Sequence, residues 1–279
     1  PMEPDHEPPV FPGVVGGEQL PRAAEAGDPA GMSFLGQLYM TGQGVPRDIA
    51  AGMDLFRRAA DLGHPEAQGV YGLSLVLGQG VFFGLGGYLM AMHLKIADAQ
   101  LRGDDVPDFM QIQGMRELPS YWQPFASPAV TLIAIVLLPT AIAAALGFGV
   151  FKRKVKGAYF AILSQALAAA FAILLIGQQT TGGSNGLNRF RSFFGLALND
   201  PVNRQLLFFI TAAILLAVVA ITRQLMYSRY GELLVAVRDQ EERVRFLGYD
   251  PANTKVVAYA IAALFASIAG ALFAPIVGF

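Results

Sequence analysis

Residues 128–151 read PAVTLIAIVLLPTAIAAALGFGVF: twenty-four residues without a charge, opened by Pro128 and interrupted by Pro139. A membrane-crossing helix needs about 20 mostly apolar residues. This stretch meets that length and fixes the class of the chain. Three more stretches share the pattern: Gly157–Gly177, with Gln165 inside it, the short dense run 206–222, and 256–279. A fifth uncharged stretch, 67–94, begins inside a region of different character, and its part 81–94 is too short to cross alone. It is expected to be a span or half-span.

Composition agrees. The chain has 279 residues, 54% hydrophobic and 15% charged, with a mean hydropathy of +0.45. A soluble domain carries about 25% charged residues, so one ordinary soluble domain is excluded, as is disorder throughout. The net charge of −1 offers no basic field for nucleic acid. Without cysteine, disulfides, thiolate metal sites and cysteine nucleophiles are excluded. His6, His64 and His93 have no metal-ligand spacing, and no Ser–His–Asp set or carboxylate pair stands out. The expectation is no cofactor and no enzyme.

Residues 1–66 are polar and proline-bearing, and from Ala67 onward apolar runs dominate. The front carries no apolar h-region of a signal peptide, and the chain stops inside an apolar run. It is expected to be a fragment truncated at both ends, with a disordered proline-rich lead over 1–20.

A shift of 36 residues reveals a repeat. Ala23-Ala24 falls on Ala59-Ala60, Gly27 on Gly63, Pro29 on Pro65, Gly36 on Gly72, and Gly42-Gln43-Gly44-Val45 on Gly78-Gln79-Gly80-Val81. Such a period, with small residues at fixed offsets, reads as stacked helical hairpins. Asp28-Pro29 starts a first helix running to about Tyr39. Gly42-Gln43-Gly44 is the turn, a second helix covers 48–62, Gly63 ends it, and His64-Pro65 opens the next unit.

Charges in the loops set the orientation, since cytoplasmic loops are rich in Lys and Arg. Lys152, Arg153, Lys154 and Lys156 place the loop after the second span inside. The loop 223–255, with Arg223, Arg229, Arg238, Arg243, Arg245 and Lys255, is then inside too. The loops 178–205 and 95–127 are outside, the latter acidic through Asp98, Asp104, Asp105, Asp108 and Glu117. The repeat is expected in the cytoplasm.

The inside loop reads as one helix over 231–249. Arg238 and Glu242, Asp239 and Arg243, and Glu241 and Arg245 stand four apart with opposite charge. Leu233, Val237, Val244 and Leu247 offer an interrupted apolar stripe, Gly248 a stop, and Asp250-Pro251 a new start. A docking element and a solvated loop helix both fit. In the outside loop, Gly182, Gly183, Asn185 and Gly186 permit positive φ. That stretch is either a set of backbone donors facing a polar solute or a plain re-entrant turn. Gly78, Gly80, Gly84, Gly86 and Gly87 lack the dinucleotide-loop spacing. In lipid they serve close helix packing or a broken helix around a polar cavity. Gln165, polar within a span, faces another helix or the solute path.

The 20–80 segment resembles the Sel1-like repeat, a relative of the tetratricopeptide repeat, through Ala23–Asp28, Gly42–Asp48 and Leu55–Ala67. That resemblance implies a protein-interaction scaffold. Residues 78–279 resemble the permease of branched-chain amino-acid-type ABC importers. The carrying motifs are 78–88 (GQGVFFGLGGY), 155–162 (VKGAYFAI), 181–187 (TGGSNGL), 228–239 (SRYGELLVAVRD) and 243–251 (RVRFLGYDP). Ser164-Gln165-Ala166-Leu167 and the stretch from Arg243 to Pro251 point within that family to the urea importer.

The resemblance implies a multi-pass bacterial inner-membrane subunit, all-α, for a small polar solute, most specifically urea. Its partners would be a second permease, two cytoplasmic ATPases and a periplasmic binding protein. It assigns Gln165, Gly182, Gly183, Asn185, Gly186, Gly80 and Gly84 to the solute pathway. Gly231, Glu232, Arg238, Asp239, Arg243 and Gly248 fall to ATPase coupling. A branched-chain amino acid substrate is the alternative, as is a membrane-tethered scaffold without transport. The family's first spans are replaced by the repeat, and the changeover falls at Gly78-Gln79-Gly80-Val81, which both families share. A chimeric chain joined there is expected, with domains 1–20, 21–77 and 78–279.

Overall fold

The computed structural model describes residues 19–153, 157–183 and 186–277. Among the described residues the chain is all-α apart from one two-residue-per-strand hairpin. It divides into two compact units: residues 1–78 with 155–169, and 79–154 with 170–279.

The first unit is built on a helical hairpin. Helices α1 (Gln19–Glu25), α2 (Pro29–Thr41) and α3 (Ile49–Asp61) lead into the start of α4 (Pro65–Arg102). The Asp28 carboxylate caps α2, accepting from the N–H of Gly31 at 2.9 Å, and Asp48 caps α3 by accepting from Ala51 at 3.0 Å. Each cap stabilises its helix by about 1 kcal/mol. Gly42 (φ +74°) and Gly63 (φ +87°) stop the helices in the left-handed conformation. Helices α2 and α3 cross at glycine on glycine. A Cβ on Gly52 would lie 2.8 Å from the Gly36 carbonyl and 2.8 Å from Met40 Cγ. Met32, Leu35, Leu38, Val45, Phe56 and Ala59 fill the core. Ile162, from helix α7 (Gly157–Gly177), packs beside Met40, Met53 and Tyr71.

The repeat expected at 78–81 does not turn. Gly42-Gln43-Gly44-Val45 folds into a turn with two left-handed glycines, yet the same four residue types at 78–81 lie inside α4, which runs unbroken for 38 residues. The neighbours on the C-terminal side of each tetrapeptide make the difference. Val45 precedes Pro46 and the capping Asp48, and a proline drives the residue before it out of the helical region. Val81 precedes Phe82-Phe83-Gly84-Leu85, with neither proline nor cap. The expected half-span 81–94 is likewise corrected. The helix continues to Arg102, and Gly78–Arg102 is long and apolar enough to cross a membrane.

In the second unit, three more helices qualify as spans: α6 (Pro128–Phe151), α8 (Pro201–Met226) and α11 (Pro251–Val277). The expected short span 206–222 therefore gains both ends. Helix α7 has the expected bounds, and its described apolar portion is Ile162–Gly177. Helix α5 (Asp108–Ile112) and the hairpin β1 (Ser192–Phe193) and β2 (Leu196–Ala197) lie in the connections, with α9 (Arg229–Asp239) and α10 (Glu241–Phe246) between α8 and α11.

Small residues draw α4, α6 and α11 together. Gly86 sits against the Ser267 backbone and Gly270 against the Phe83 carbonyl, where no Cβ fits. Ser267 Oγ donates to the Ile135 carbonyl at 2.8 Å. Tyr259 stacks edge-on to both Phe82 and Phe151, at 5.6 and 6.1 Å. The glycines of α4 thus serve close packing. Helix α8 is different, because Leu207 is its one buried residue among those described. Phe208, Phe209, Leu215, Leu216 and Val219 face outward, as lipid contact requires.

Candidate functional site

Two regions of the second unit combine polar groups with open surface. The first lies where α4 ends and the 178–200 segment returns. The acidic loop expected from residue 95 starts only after Arg102, so Lys95 and Asp98 stand on α4 and are buried. Asp98, 5% exposed, accepts three hydrogen bonds: from the N–H of Arg191 (2.8 Å), the N–H of Ser192 (3.0 Å) and Ser192 Oγ (2.7 Å). It pins the β1–β2 hairpin to the helix. His93, also buried, donates from Nδ1 to the Phe125 carbonyl at 2.8 Å, so it holds the 123–126 turn.

Lys95 Nζ lies 3.2 Å from Asp108 Oδ1, and Arg102 Nη1 lies 3.7 Å from Asp108 Oδ2. Burial pushes the Asp108 carboxyl up, but Lys95, the Phe109 N–H and Arg102 together hold it below its ordinary value. Asp108 is therefore ionised at neutral pH. Around this pair opens a cavity of about 560 Å³, lined by Lys95, Asp108, Gln113, Gly182, Gly186 and Arg189 among others. A second, mostly apolar cavity of about 320 Å³ lies between α4 and α11, lined by Gly84, Tyr88, Ala91, Gly186 and Phe273 among others. Gly186 and Asn188 belong to both walls.

The expected pathway residues are thus partly gathered. Gly182, Gly186 and Gly84 line the two cavities. Gly182, Gly183 and Gly186 have positive φ, as the turn requires. The N–H groups of Gly183 and Gly186, however, donate to the Gln178 and Gly183 carbonyls. They close the turn on itself and leave no donor cradle at those two positions. Gly80 is exposed on α4 and lines neither cavity, and Gln165 is half-buried in the first unit. Asn185 lies outside the described residues. Lys95, Asp98, Asp108 and Ser192 escaped the sequence reading as a site because Lys95 directly follows the apolar run and Asp98 lies one turn beyond its end. The apolar period Leu89, Met92, Ile96, Ala99 does continue through them.

The second region joins α8 to α11. The single helix expected over 231–249 breaks at Gln240 (φ −150°, ψ +71°) into α9 and α10. The expected pairs Arg238–Glu242 and Asp239–Arg243 straddle the break, and their helical spacing is lost there. Arg238 pairs with its neighbour Asp239 at 2.8 Å, and Glu241–Arg245 forms as expected at 2.8 Å. Glu241 also pairs with Lys255 on α11, and Tyr230 Oη donates to the Thr254 carbonyl at 2.7 Å. Burial pushes the Tyr230 phenol above its ordinary value. Gly231 packs on the Met226 carbonyl with no room for a Cβ. Glu232, Arg238, Asp239 and Arg243 are exposed, and Gly248 (φ +87°) ends α10. Val237 and Val244 point inward, whereas Phe246 (90% exposed), Leu247 (76%) and Tyr249 (58%) do not. The elbow is tied to a span on one side and presents charge and apolar surface on the other.

A family profile described as the branched-chain amino acid transport system / permease component matches residues 70–279, and a Sel1 repeat profile matches 29–64. The chain is 28% identical over 237 residues to the high-affinity branched-chain amino acid transport system permease protein LivM of Escherichia coli (strain K12), covering 75% of this chain and 48% of that protein. To the protein of the same description from Salmonella typhimurium (strain LT2) it is 30% identical over 158 residues, covering 48% of this chain and 36% of the relative. The chain spans about half the length, or less, of these relatives. No solved structure matches it. With 210 of its 279 residues inside the permease match, the chain belongs to the branched-chain amino acid transport system permease component family, and it carries a Sel1 repeat ahead of that segment.

Proposed function

We propose that the chain is a multi-pass inner-membrane permease subunit of an ATP-driven importer, and that its solute is a branched-chain amino acid and not urea. The family match over residues 70–279 carries the proposal. The relatives' names speak for the amino acid, whereas the urea reading rests on Ser164–Leu167 and the Arg243–Pro251 stretch alone. The subunit has no catalytic centre of its own, and ATP is hydrolysed by separate ATPases. A second permease, two ATPases and a periplasmic binding protein complete the proposed system.

In mechanism, the α9–α10 elbow seats on an ATPase. ATP closes the ATPases, and the shift passes through Tyr230–Thr254 and Glu241–Lys255 into α11, altering the populations of inward- and outward-open bundles. The charge bias of 223–255 supports a cytoplasmic elbow. With the elbow inside, the start of α4, and with it the Sel1 segment, is proposed to lie in the cytoplasm as a protein-contact appendage. The domain division 21–77 and 78–279 is proposed with it.

The test is uptake by proteoliposomes holding the chain's full-length gene product with the ATPase, second permease and binding protein of its locus. ATP-dependent leucine uptake that valine outcompetes and urea does not is the expected result. Urea uptake without leucine uptake restores the urea reading. Inserted protein that moves neither solute leaves the tethered-scaffold alternative.

A further inference from the structure

The polar and apolar cavities near residues 186–189 form a neighbouring pair that shares two wall residues, Gly186 and Asn188. Its charges do not cancel. Lys95 and Asp108 neutralise one another at 3.2 Å, and Arg102 is shared between Asp104 and Asp108. Arg189, also in the wall, has no ion-pair partner among the described residues. Its backbone is held left-handed at φ +59°, rare for a residue with a Cβ. Strain of this kind persists where the surroundings over-determine it. Here the next residue, Phe190, is locked in the core with Leu94 and Leu198. The Arg189 backbone is thus held beside the polar end, with the residue exposed there, while Phe83, Tyr88, Ala91 and Phe273 line the apolar end.

A surplus cation beside an apolar slot fits a solute with a carboxylate at one end and a hydrocarbon at the other. It gives no advantage to a neutral diamide. We infer that this pair of cavities is a receiving site for an aliphatic amino acid, with Arg189 anchoring its carboxylate and Phe273 walling its side chain. The inference rests on the permease reading and names the ligand chemistry of that subunit's own cleft. Arginine suits the role because its forked donors meet a carboxylate at both oxygens.

The test is equilibrium binding of radiolabelled leucine, leucinamide, glycine and urea to the full detergent-solubilised chain. Leucine binds about tenfold more tightly than leucinamide, as one charge-assisted hydrogen-bonded pair predicts, and urea does not compete. Arg189→Gly, which suits the left-handed backbone and so keeps the fold, abolishes the leucine-over-leucinamide preference, and Arg189→Lys restores part of it. Phe273→Ala narrows leucine over glycine severalfold while keeping the carboxylate preference. Equal binding of leucine and leucinamide by the unmodified chain overturns the inference, as does leucine binding unchanged in Arg189→Gly. If Arg189→Gly binds normally while ATP-driven leucine uptake persists, the cleft assignment fails and the permease reading stands. Urea uptake without leucine uptake defeats the permease reading's amino-acid substrate whatever Arg189 does.

Discussion

Replacing Asp98 by alanine removes the acceptor for three donors at once: the Arg191 and Ser192 N–H groups and the Ser192 hydroxyl. Ser192 is buried, so water does not readily take the carboxylate's place. A buried donor left unsatisfied costs about 1–3 kcal/mol. Two of the three lie on one residue and relax together, so a total of about 3 kcal/mol is expected, not the full sum. That raises the population of the opened hairpin by about two orders of magnitude. Asp98→Asn keeps one acceptor oxygen and is expected to lose about half as much. The assay is trypsin cleavage after Arg189 and Arg191 in native detergent micelles, with the unfolding midpoint in mixed micelles read in parallel. Cleavage at Arg191 should quicken in Asp98→Ala, less so in Asp98→Asn, while cleavage in the distant α9–α10 elbow stays constant. Equal protection of Arg191 in all three proteins would refute the pin.

Gly270→Ala places a methyl against the Phe83 carbonyl and is expected to lower mixed-micelle stability by about 1–3 kcal/mol, as overpacking does. Gly149→Ala, on α6 with open space around it, is expected to hold or raise stability by up to about 1 kcal/mol. Equal effects would undo the claim that α4 and α11 meet at glycine. Gly52→Val should separate α2 from α3 and expose the hairpin to protease, whereas Gly69→Val, in open space, should not. Asp108 is held below its ordinary 3.8, so its contribution is complete above that value and is lost only as pH falls through the lower folded value. Protease protection of α5 should therefore be flat from pH 7 to 5, and a loss in that window would contradict the Lys95–Asp108 pair. Tyr230→Phe gives up one hydrogen bond to α11, worth about 1 kcal/mol, and should speed hydrogen exchange in α9. Unchanged exchange would remove Tyr230 from the proposed coupling path.

Much of the outline was legible in the residues. Asp28-Pro29, Asp48 and Gly63 mark helix ends by chemistry that acts over one turn, so the hairpin's bounds could be read within two residues. The uncharged run 128–151 became α6 with those bounds, since span length depends on composition alone. Gly182, Gly183 and Gly186 took the left-handed backbone that their lack of a Cβ permits.

Other features lay beyond local reading. Gly-Gln-Gly-Val is a turn at 42–45 and helix at 78–81, so the tetrapeptide has no conformation of its own until Pro46 or Phe82 comes after it. Charge spacing across 238–243 suggested one helix, yet the chain breaks at Gln240, where Glu241 joins Lys255, 14 residues on. The pathway glycines looked like donors, but which N–H groups are free depends on whether the turn closes on itself, and at Gly183 and Gly186 it does.

What the sequence by itself determined was the class of molecule: a helical repeat, then spans, because hydrophobic length, caps and prolines act within a turn or two along the chain. What only the tertiary structure decided was the cleft. Asp98 meets Ser192 across 94 residues and Lys95 meets Asp108 across 13. Pairings of charge over such separations depend on which helices pack together. That packing is set by where glycines such as Gly86 and Gly270 let two backbones touch.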